Sequence, residues 1–158
     1  MKKGFTLIEL LVVIAIIGII STISITFLSS ARLKVKDGRV ISNLKQAKTI
    51  VELNRGSDGN VPAQNIVSDI PDFSKLSKDV CAQQGVSCVG VTTIPSTSKP
   101  AGIIKSPFSS GSGYCLYSWL PSGKSSDWSK AACVDSNGKT NFSYTGDTPC
   151  SVSPIGCN

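Results

Sequence analysis

The chain has 158 residues and a formal net charge of +6. The charge is unevenly spread, because residues 29–54 hold six basic and two acidic side chains, whereas residues 55–158 hold eight basic and seven acidic. A basic, aromatic-lined patch for nucleic acid is therefore not expected in the distal part. Histidine is absent and no glycine-rich phosphate loop follows a strand, which excludes the common catalytic sites. The sequence predicts no enzyme, no cofactor and no metal site.

An apolar run from Phe5 to Leu28 follows two lysines and contains one charged residue, Glu9. As a helix the run would reach roughly 36 Å, enough for a hydrocarbon core of about 30 Å. A carboxylate in a membrane segment costs up to about 3.5 kcal/mol, so Glu9 is interpreted as functional. The alternative is an ordinary secretory signal cut after residues 29–31. The run is longer than the roughly 7 to 15 residues of such a signal, which also has no use for the acid.

The order of these features, KKGFTLIE at residues 2–9 followed by an unbroken apolar helix, resembles the leader and mature start of type IV pilins and pseudopilins. The resemblance implies that a prepilin peptidase cuts after Gly4 and methylates the new N-terminus at Phe5. It also implies that Glu9 meets the free amine of a neighbouring subunit during assembly. The implied partners are the membrane, the peptidase, and identical or related subunits in a helical filament.

Six cysteines follow the apolar run: Cys81, Cys88, Cys115, Cys133, Cys150 and Cys157. Their even number, with no C-x-x-C pair and no histidine, predicts three disulfides and an oxidising compartment. The basic residues after the run would instead hold the distal part in the cytoplasm by the positive-inside rule. Because long domains cross membranes with little regard to charge, we expect residues 32–158 outside the cytoplasmic membrane.

The section from Ser29 to Asn54 predicts a continuation of the helix. Its apolar residues follow the three-and-four spacing of one helical face: Leu33, Val40, Leu44, Ala47 and Val51. We expect the rest of the chain to cover this stripe. Turn residues at positions 55–60 and a proline at position 62 end the helix near Asn54.

Prolines and small polar residues interrupt regular structure between Pro62 and Gly113, apart from a short helix expected from Asp72 to Ala82. A disulfide from Cys81 to Cys88 would close a short loop there. Three β-prone runs follow, from Tyr114 to Leu120, from Trp128 to Val134 and from Lys139 to Thr145.

The Asn-Gly pair at positions 137 and 138 predicts a two-residue hairpin turn, which places Cys133 opposite Phe142. The turn is favoured over a partial calcium-loop pattern at the same place. A disulfide from Cys115 to Cys133 would fix the strand register of the preceding hairpin. These registers put five side chains on one sheet face: Cys115, Tyr117, Trp119, Phe142 and Tyr144. We expect this face to pack on the helix stripe, the alternative being an exposed aromatic cluster used for binding.

Residues 146–158 are too rich in Pro, Gly and Ser to predict regular structure. A bond from Cys150 to Cys157 would close them into a loop that resembles the disulfide-bounded loop near the C-terminus of many type IV pilins. Such proteins often have one bridge, whereas three are available here, and six cysteines allow about fifteen pairings.

The predicted fold is α+β, with a long N-terminal helix packed on a small antiparallel sheet, as in pilins. Four segments are expected: a cleaved leader at 1–4, a transmembrane and filament-core helix at 5–28, an amphipathic continuation at 29–54, and a disulfide-linked globular domain at 55–158. The resemblance implies a structural subunit of a type IV pilus or a similar filament, held in the inner membrane before assembly and then exposed at the cell surface. The alternatives are a pseudopilin of a type II secretion system, and a minor pilin acting as an adhesin or in DNA uptake.

Overall fold

The structure is a computed structural model that describes residues 4–63, 69–86, 88, 102–106, 111–123, 130–141, 150–152 and 155–157, with the backbone alone at residues 24–26, 150–152, 155 and 156. Its elements in chain order are α1 (Leu7–Leu53), α2 (Pro71–Gln84), β1 (Ile104–Ser106), β2 (Cys115–Trp119), β3 (Ala131–Asp135), β4 (Thr140–Asn141), β5 (Cys150–Val152) and β6 (Ile155–Cys157). The fold is α+β, as predicted. The chain divides into two compact units, Met1–Val35 and Lys36–Asn158.

Helix α1 agrees closely with the predicted helix, which was expected to run from Phe5 to Asn54. At its end, Asn54 donates from its backbone N–H to the Ile50 carbonyl at 3.2 Å and from its side-chain Nδ2 to the same oxygen at 2.8 Å. The chain then turns through Gly59, whose φ of 77° is costly for any residue with a Cβ. The turn residues therefore end the helix where the sequence indicated.

The C-terminal part of α1 supplies one wall of the main core. Its stripe is buried from Val40 onwards, with Val40, Leu44, Ala47 and Val51 between 0% and 2% exposed. Leu33 was predicted to belong to this stripe but is 41% exposed and lies in the first unit. The covered stripe therefore begins about two helical turns later than the apolar spacing indicated.

Strands β1 to β4 form one antiparallel sheet in the order β1-β2-β3-β4. Tyr117 lies opposite Cys133, so the predicted pairing of Cys115 with Cys133 is wrong by two residues. In the next hairpin Asn141, not Phe142, lies opposite Cys133. That shift of one residue has a local cause. Three residues connect Asp135 to Lys139, with Gly138 at a φ of 86°, instead of the predicted two-residue turn.

The sheet turns its aliphatic face, not its aromatic face, toward α1. The core around the helix stripe includes Tyr114, Leu116, Leu120, Ala132 and Val134 from the sheet region. The opposite face carries a second cluster made of Ile104, Cys115, Tyr117, Cys133 and Cys157. The prediction that Cys115, Tyr117 and Trp119 cover the helix is therefore wrong. Phe142 and Tyr144, assigned to the same face, lie outside the described residues.

Both faces of β2 and β3 are buried, and this explains the incorrect assignment. Every residue of these two strands is buried, so the sequence shows no apolar and polar alternation that would distinguish a core face from a solvent face. Tyr117 and Trp119 are only 5% and 4% exposed, so these two side chains do not belong to an exposed aromatic cluster.

The C-terminal segment forms a hairpin, although it was predicted to be a loop. Strands β5 and β6 pair antiparallel with Cys150 and Cys157 as Cα partners, yet Cys157 forms its disulfide with Cys133. The predicted bond between Cys150 and Cys157 is therefore not made, because β6 carries its cysteine onto the sheet face that holds Cys133. The bond from Cys81 to Cys88 is present as predicted.

Helix α2 occupies the position expected for the short helix. Pro71 stands at its first turn, where a missing N–H costs nothing, and Gly85 closes its C-terminus at a φ of 73°. Asn43 of α1 donates from its side-chain nitrogen to the Asp79 carboxylate of α2 at 2.7 Å. Strand β1 follows, in a region predicted to lack strands, and pairs with β2.

Candidate assembly site

The N-terminus of α1 is closed by a reciprocal pair of side chains. The Glu9 carboxylate oxygen Oε2 accepts from the Thr6 backbone N–H at 2.9 Å and from the Thr6 hydroxyl at 2.7 Å, and the Thr6 Oγ1 accepts from the Glu9 backbone N–H at 3.3 Å. This is a capping box, in which a Thr and a Glu three residues later satisfy each other's backbone donors. The Thr-x-x-Glu spacing was present in the sequence but was not used in its interpretation.

Capping uses one of the two oxygen atoms of the Glu9 carboxylate. Both hydrogen bonds go to Oε2, and Oε1 has no hydrogen-bond partner among the residues that the structure describes. The side chain is exposed at the first turn of the helix. One oxygen therefore stabilises the helix start while the other remains able to accept a hydrogen bond from a cation outside the chain.

Gly4 and Phe5 precede the helix in an exposed segment without regular secondary structure. A Cβ built at Gly4 would meet nothing within 4 Å, and Phe5 is 75% exposed. The peptide bond between them is thus accessible in the described structure. Residues 1–3, the rest of the predicted leader, lie outside the described residues.

The first unit exposes a continuous apolar helix surface. Its exposed large side chains include Leu7, Ile8, Leu10, Leu11, Val12, Val13, Ile14, Ile16, Ile17, Ile19, Ile20, Ile23, Phe27 and Leu28. By length and composition, α1 is the one helix in the described part of the chain that could cross a membrane. A Cβ built at Gly18, in the middle of this surface, would meet nothing within 4 Å.

Two hydroxyl groups in the described part of this apolar stretch are satisfied by the helix itself. Ser21 donates to the Ile17 carbonyl at 2.7 Å, and Thr22 donates to the Ile19 carbonyl at 2.8 Å. Such bonds remove the main cost of placing a hydroxyl in lipid or in an apolar interface. The exposed carboxylate of Glu9 differs from these hydroxyls, because its Oε1 atom accepts no hydrogen bond from the residues that the structure describes.

At its other end α1 is fastened to the sheet by a polar network. The Tyr114 hydroxyl donates to the Glu52 carboxylate at 2.6 Å, and Arg55 forms an ion pair with the same carboxylate at 2.8 Å. Burial, together with the adjacent Glu52 carboxylate, raises the pKa of the Tyr114 hydroxyl far above its usual value. For Glu52, desolvation opposes ionisation, but the hydrogen bonds from Tyr114 and Arg55 prevail and lower its pKa. The network holds the C-terminal end of the helix against β2.

The cysteine side chains include one group with metal-like spacing. The sulfur atoms of Cys115, Cys133 and Cys157 lie within 4.8 Å of one another and are buried. Cys133 is bonded to Cys157, and Cys115 is also disulfide-bonded. Metal binding needs thiolates, so this cluster in its disulfide state supplies no thiolate ligand.

Comparison with known proteins gives the same interpretation of the N-terminus. Residues 1–25 match the family described as the prokaryotic N-terminal methylation motif. The chain is 30% identical over 112 residues to fimbrial protein Q of Moraxella bovis, an alignment that covers 71% of this chain and 65% of that protein. It is 47% identical over 51 residues to fimbrial protein EcpB of Eikenella corrodens, covering 32% of each. No solved structure matches the chain.

The N-terminal motif and the two fimbrial relatives support the resemblance to the type IV pilin family. The relatives are fimbrial proteins, a group not known to be enzymatic, in agreement with the expectation that this chain is not an enzyme. The chain spans 65% and 32% of the lengths of these two relatives. Cleavage after Gly4, methylation at Phe5 and the assembly role of Glu9 remain predictions for this chain.

Proposed function

We propose that this chain is a structural subunit of a type IV pilus, assembled through its N-terminal helix after removal of residues 1–4. The observation that carries the proposal is the exposed apolar surface of α1 with a half-used carboxylate at its start. A surface of this kind is stable in lipid before assembly and against other apolar helices afterwards. The similarity to fimbrial proteins favours a pilus over a type II secretion pseudopilus.

In this proposal the apolar part of α1 has two environments, the inner membrane before assembly and the filament afterwards. Before assembly, the apolar length from Phe5 to Leu28 would lie in the inner membrane, with Arg32 and the following residues outside the cytoplasm. In the filament, the same side chains would pack against neighbouring helices and leave the second unit at the surface. Because transfer from lipid to an apolar protein surface gains little hydrophobic free energy, packing and polar contacts must supply the preference for the filament.

Glu9 is the residue suited to provide such a contact. Cleavage after Gly4 would create a positively charged amine at Phe5, and each incoming subunit would bring one. The open Oε1 atom of Glu9 on a neighbouring subunit can accept a hydrogen bond from it. A hydrogen bond to a charged group contributes about 1.5 to 3 kcal/mol, which corresponds to roughly a 10- to 100-fold effect on association.

Three variants of the full chain separate the assembly role of Glu9 from its capping role. Glu9→Gln keeps an oxygen that can cap Thr6 but removes the charge, Glu9→Ala removes both, and Thr6→Ala removes the cap but keeps the carboxylate. Sheared surface filaments are quantified, and intact mass measures processing of the membrane-bound pool. We expect filament yield to fall by about tenfold or more in both Glu9 variants and much less in Thr6→Ala.

Processing provides the internal control of this experiment. In every variant the mass should correspond to a 154-residue chain, the 158 residues of the sequence less four, carrying one added methyl group. An N-terminus near Arg32 would show that the apolar run is a removed secretory signal, and the proposed function would be wrong. Normal filament yield from Glu9→Ala would remove the role of the carboxylate, and a defect in Thr6→Ala equal to that of Glu9→Gln would assign that role to helix capping.

A further inference from the structure

Three buried sulfur atoms meet on the sheet face that points away from α1. Cys115, Cys133 and Cys157 are each at most 3% exposed, and their sulfur atoms all lie within 4.8 Å of one another. Cys133 and Cys157 are joined by a disulfide, while the Cys115 sulfur lies 3.9 Å from that of Cys157. This 3.9 Å separates sulfur atoms that are not bonded to each other, and it is close to van der Waals contact.

The arrangement follows from the strand registers. Tyr117 lies opposite Cys133, so Cys115, two residues away, stands on the same face of β2. Strand β6 brings Cys157 onto that face, within reach of both sheet cysteines. Strand pairing fixes the backbone positions but leaves Cys157 two possible partners, Cys133 and Cys115.

We propose that Cys157 is the exchange sulfur of this cluster, at which the disulfides of the folded domain interconvert without an external catalyst. In the step, the thiolate of Cys115 attacks Sγ of Cys157. The bond between Cys115 and Cys157 forms, the bond between Cys133 and Cys157 breaks, and Cys133 leaves as a thiolate that takes up the proton released by Cys115. The step is redox neutral, since one disulfide replaces another.

Cys115 can be a thiol in two situations. During oxidative folding Cys115 is a thiol until its own disulfide forms, so no reductant is needed. In the oxidised chain, a small-molecule dithiol must first reduce the disulfide that holds Cys115. Once the domain is closed, burial keeps bulky oxidoreductases from these sulfur atoms, and the intramolecular step is the one that remains open.

The full-length Cys150→Ser chain in detergent micelles tests the proposal. Cys150 is the sixth cysteine of the sequence, and its side chain lies outside the described part of the structure. The variant takes Cys150 as the partner of Cys115, and disulfide mapping of the unmodified chain checks this pairing first. In the variant, Cys115 should be a thiol beside the Cys133–Cys157 bond. One sample is oxidised after folding, and the other is oxidised in denaturant and then refolded. Both are trapped with acid over time and mapped by non-reducing peptide analysis.

We expect the two samples to converge on one mixture, in which Cys157 is bonded to Cys115 in some molecules and to Cys133 in the others. The rate of convergence should not change on tenfold dilution, because the step is intramolecular. Samples that keep different ratios, a rate that falls on dilution, or a Cys115 that is always the free thiol would each overturn the proposal.

Cys88→Ser is the matched control, because it frees Cys81, which is outside the three-sulfur cluster. Its free thiol should stay on Cys81 while the cluster keeps its bonds. Disulfide exchange as extensive as in Cys150→Ser would show that exchange is not specific to the cluster and would contradict the proposal. If Cys150→Ser does not fold, the unmodified chain is reduced, refolded with oxidant and trapped during refolding. A species with a Cys115–Cys157 bond should then rise and fall, and its absence would contradict the proposal.

Discussion

The two parts of helix α1 both carry apolar side chains, but these side chains are exposed in the first part, whereas a stripe of them is buried in the second. Residues 7–35, in the first unit, present large apolar side chains that are exposed, with Leu11 at 54% and Ile14 at 58%. Residues 36–53, in the second unit, bury a stripe in which Leu44 is 2% exposed and Val51 is 0% exposed. The helical backbone is continuous through both. The difference separates the apolar surface that the second unit buries from the apolar surface that is exposed, and the proposed function assigns the exposed surface to lipid or other subunits.

The hydrogen bonds of polar side chains also differ between the two parts of α1. In the first length, Ser21 and Thr22 donate to carbonyls of their own helix. In the second, polar groups reach other elements, as when Asp37 accepts from the Ser122 backbone N–H at 3.0 Å and Glu52 accepts from the Tyr114 hydroxyl at 2.6 Å. The hydrogen bonds of Ser21 and Thr22 thus stay within the helix, whereas those of Asp37 and Glu52 join the helix to the rest of the second unit.

The largest contrast is expected from a matched pair of leucines. Leu44→Ala should lower the free energy of unfolding of the domain by about 2 to 5 kcal/mol, because it opens a cavity in the core. Leu11→Ala should change it by less than about 0.5 kcal/mol, because the side chain is exposed, but it should reduce filament yield. Denaturant unfolding of the full chains in detergent, followed by the fluorescence of buried Trp119, measures the first effect. Equal losses from the two variants would contradict the comparison.

A pair of glycines should give the next largest difference. Gly102 has a φ of 81°, and an added Cβ would collide with the Ser77 hydroxyl and lie 3.2 Å from the Cys81 sulfur. Gly102→Ala should therefore destabilise the domain by about 1 to 3 kcal/mol. Gly18→Ala has open space and improves helix propensity, so thermal unfolding of the domain should be unchanged.

Filament yield distinguishes two roles for Gly18. A lower yield from Gly18→Ala would show that a neighbouring helix approaches closely at this glycine in the filament. An unchanged yield would show that Gly18 is merely tolerated. A loss of domain stability in Gly18→Ala equal to that of Gly102→Ala would contradict the separation of the two helix lengths.

The last effect, which is small for a change of one pH unit, concerns pH and tests the second unit, whose helix stripe is buried. Lys105 in β1 is fully buried, and desolvation lowers its pKa from 10.5 to about 8. Between these values the unfolded state binds the additional proton, so stability rises with pH by up to about 1.4 kcal/mol per unit. Burial raises the pKa of Tyr117 from 10.0 to about 12, so the folded state holds the additional proton and stability falls above pH 10.

Lys105→Met should remove the rise between about pH 8 and 10 and leave the fall above pH 10. The control is Lys45→Met, which changes an exposed lysine on α1 and should keep the profile of the unmodified chain. Urea unfolding at a series of pH values, in buffers free of thiols, gives both profiles. A rise that persists in Lys105→Met would show that another group causes it.

The local elements could be predicted because their signals lie close together in the sequence. The start of α1, its end after Leu53 and the position of α2 follow from apolar spacing and turn residues, which act over one or two helical turns. The bond from Cys81 to Cys88 spans seven residues and is similarly local. At the site, the roles of Gly4, Phe5 and Glu9 follow from the resemblance that their order carries and stay predictions, whereas the Thr6 cap was present in the sequence but overlooked.

The tertiary structure alone decided how the sheet is used. Two hairpin registers that differ by two residues place the same side chains on the same face, so alternation could not exclude the wrong pairing of Cys115. Both faces of β2 and β3 are apolar, and the choice of the aliphatic face for α1 depends on the return of β6 to cover the other. The bond from Cys133 to Cys157 has the same origin, because it joins residues 24 apart in the sequence that lie together on one face of the sheet. Sequence determined the elements through short-range backbone preferences, while partners distant along the chain were selected by the packing that buries the most apolar surface.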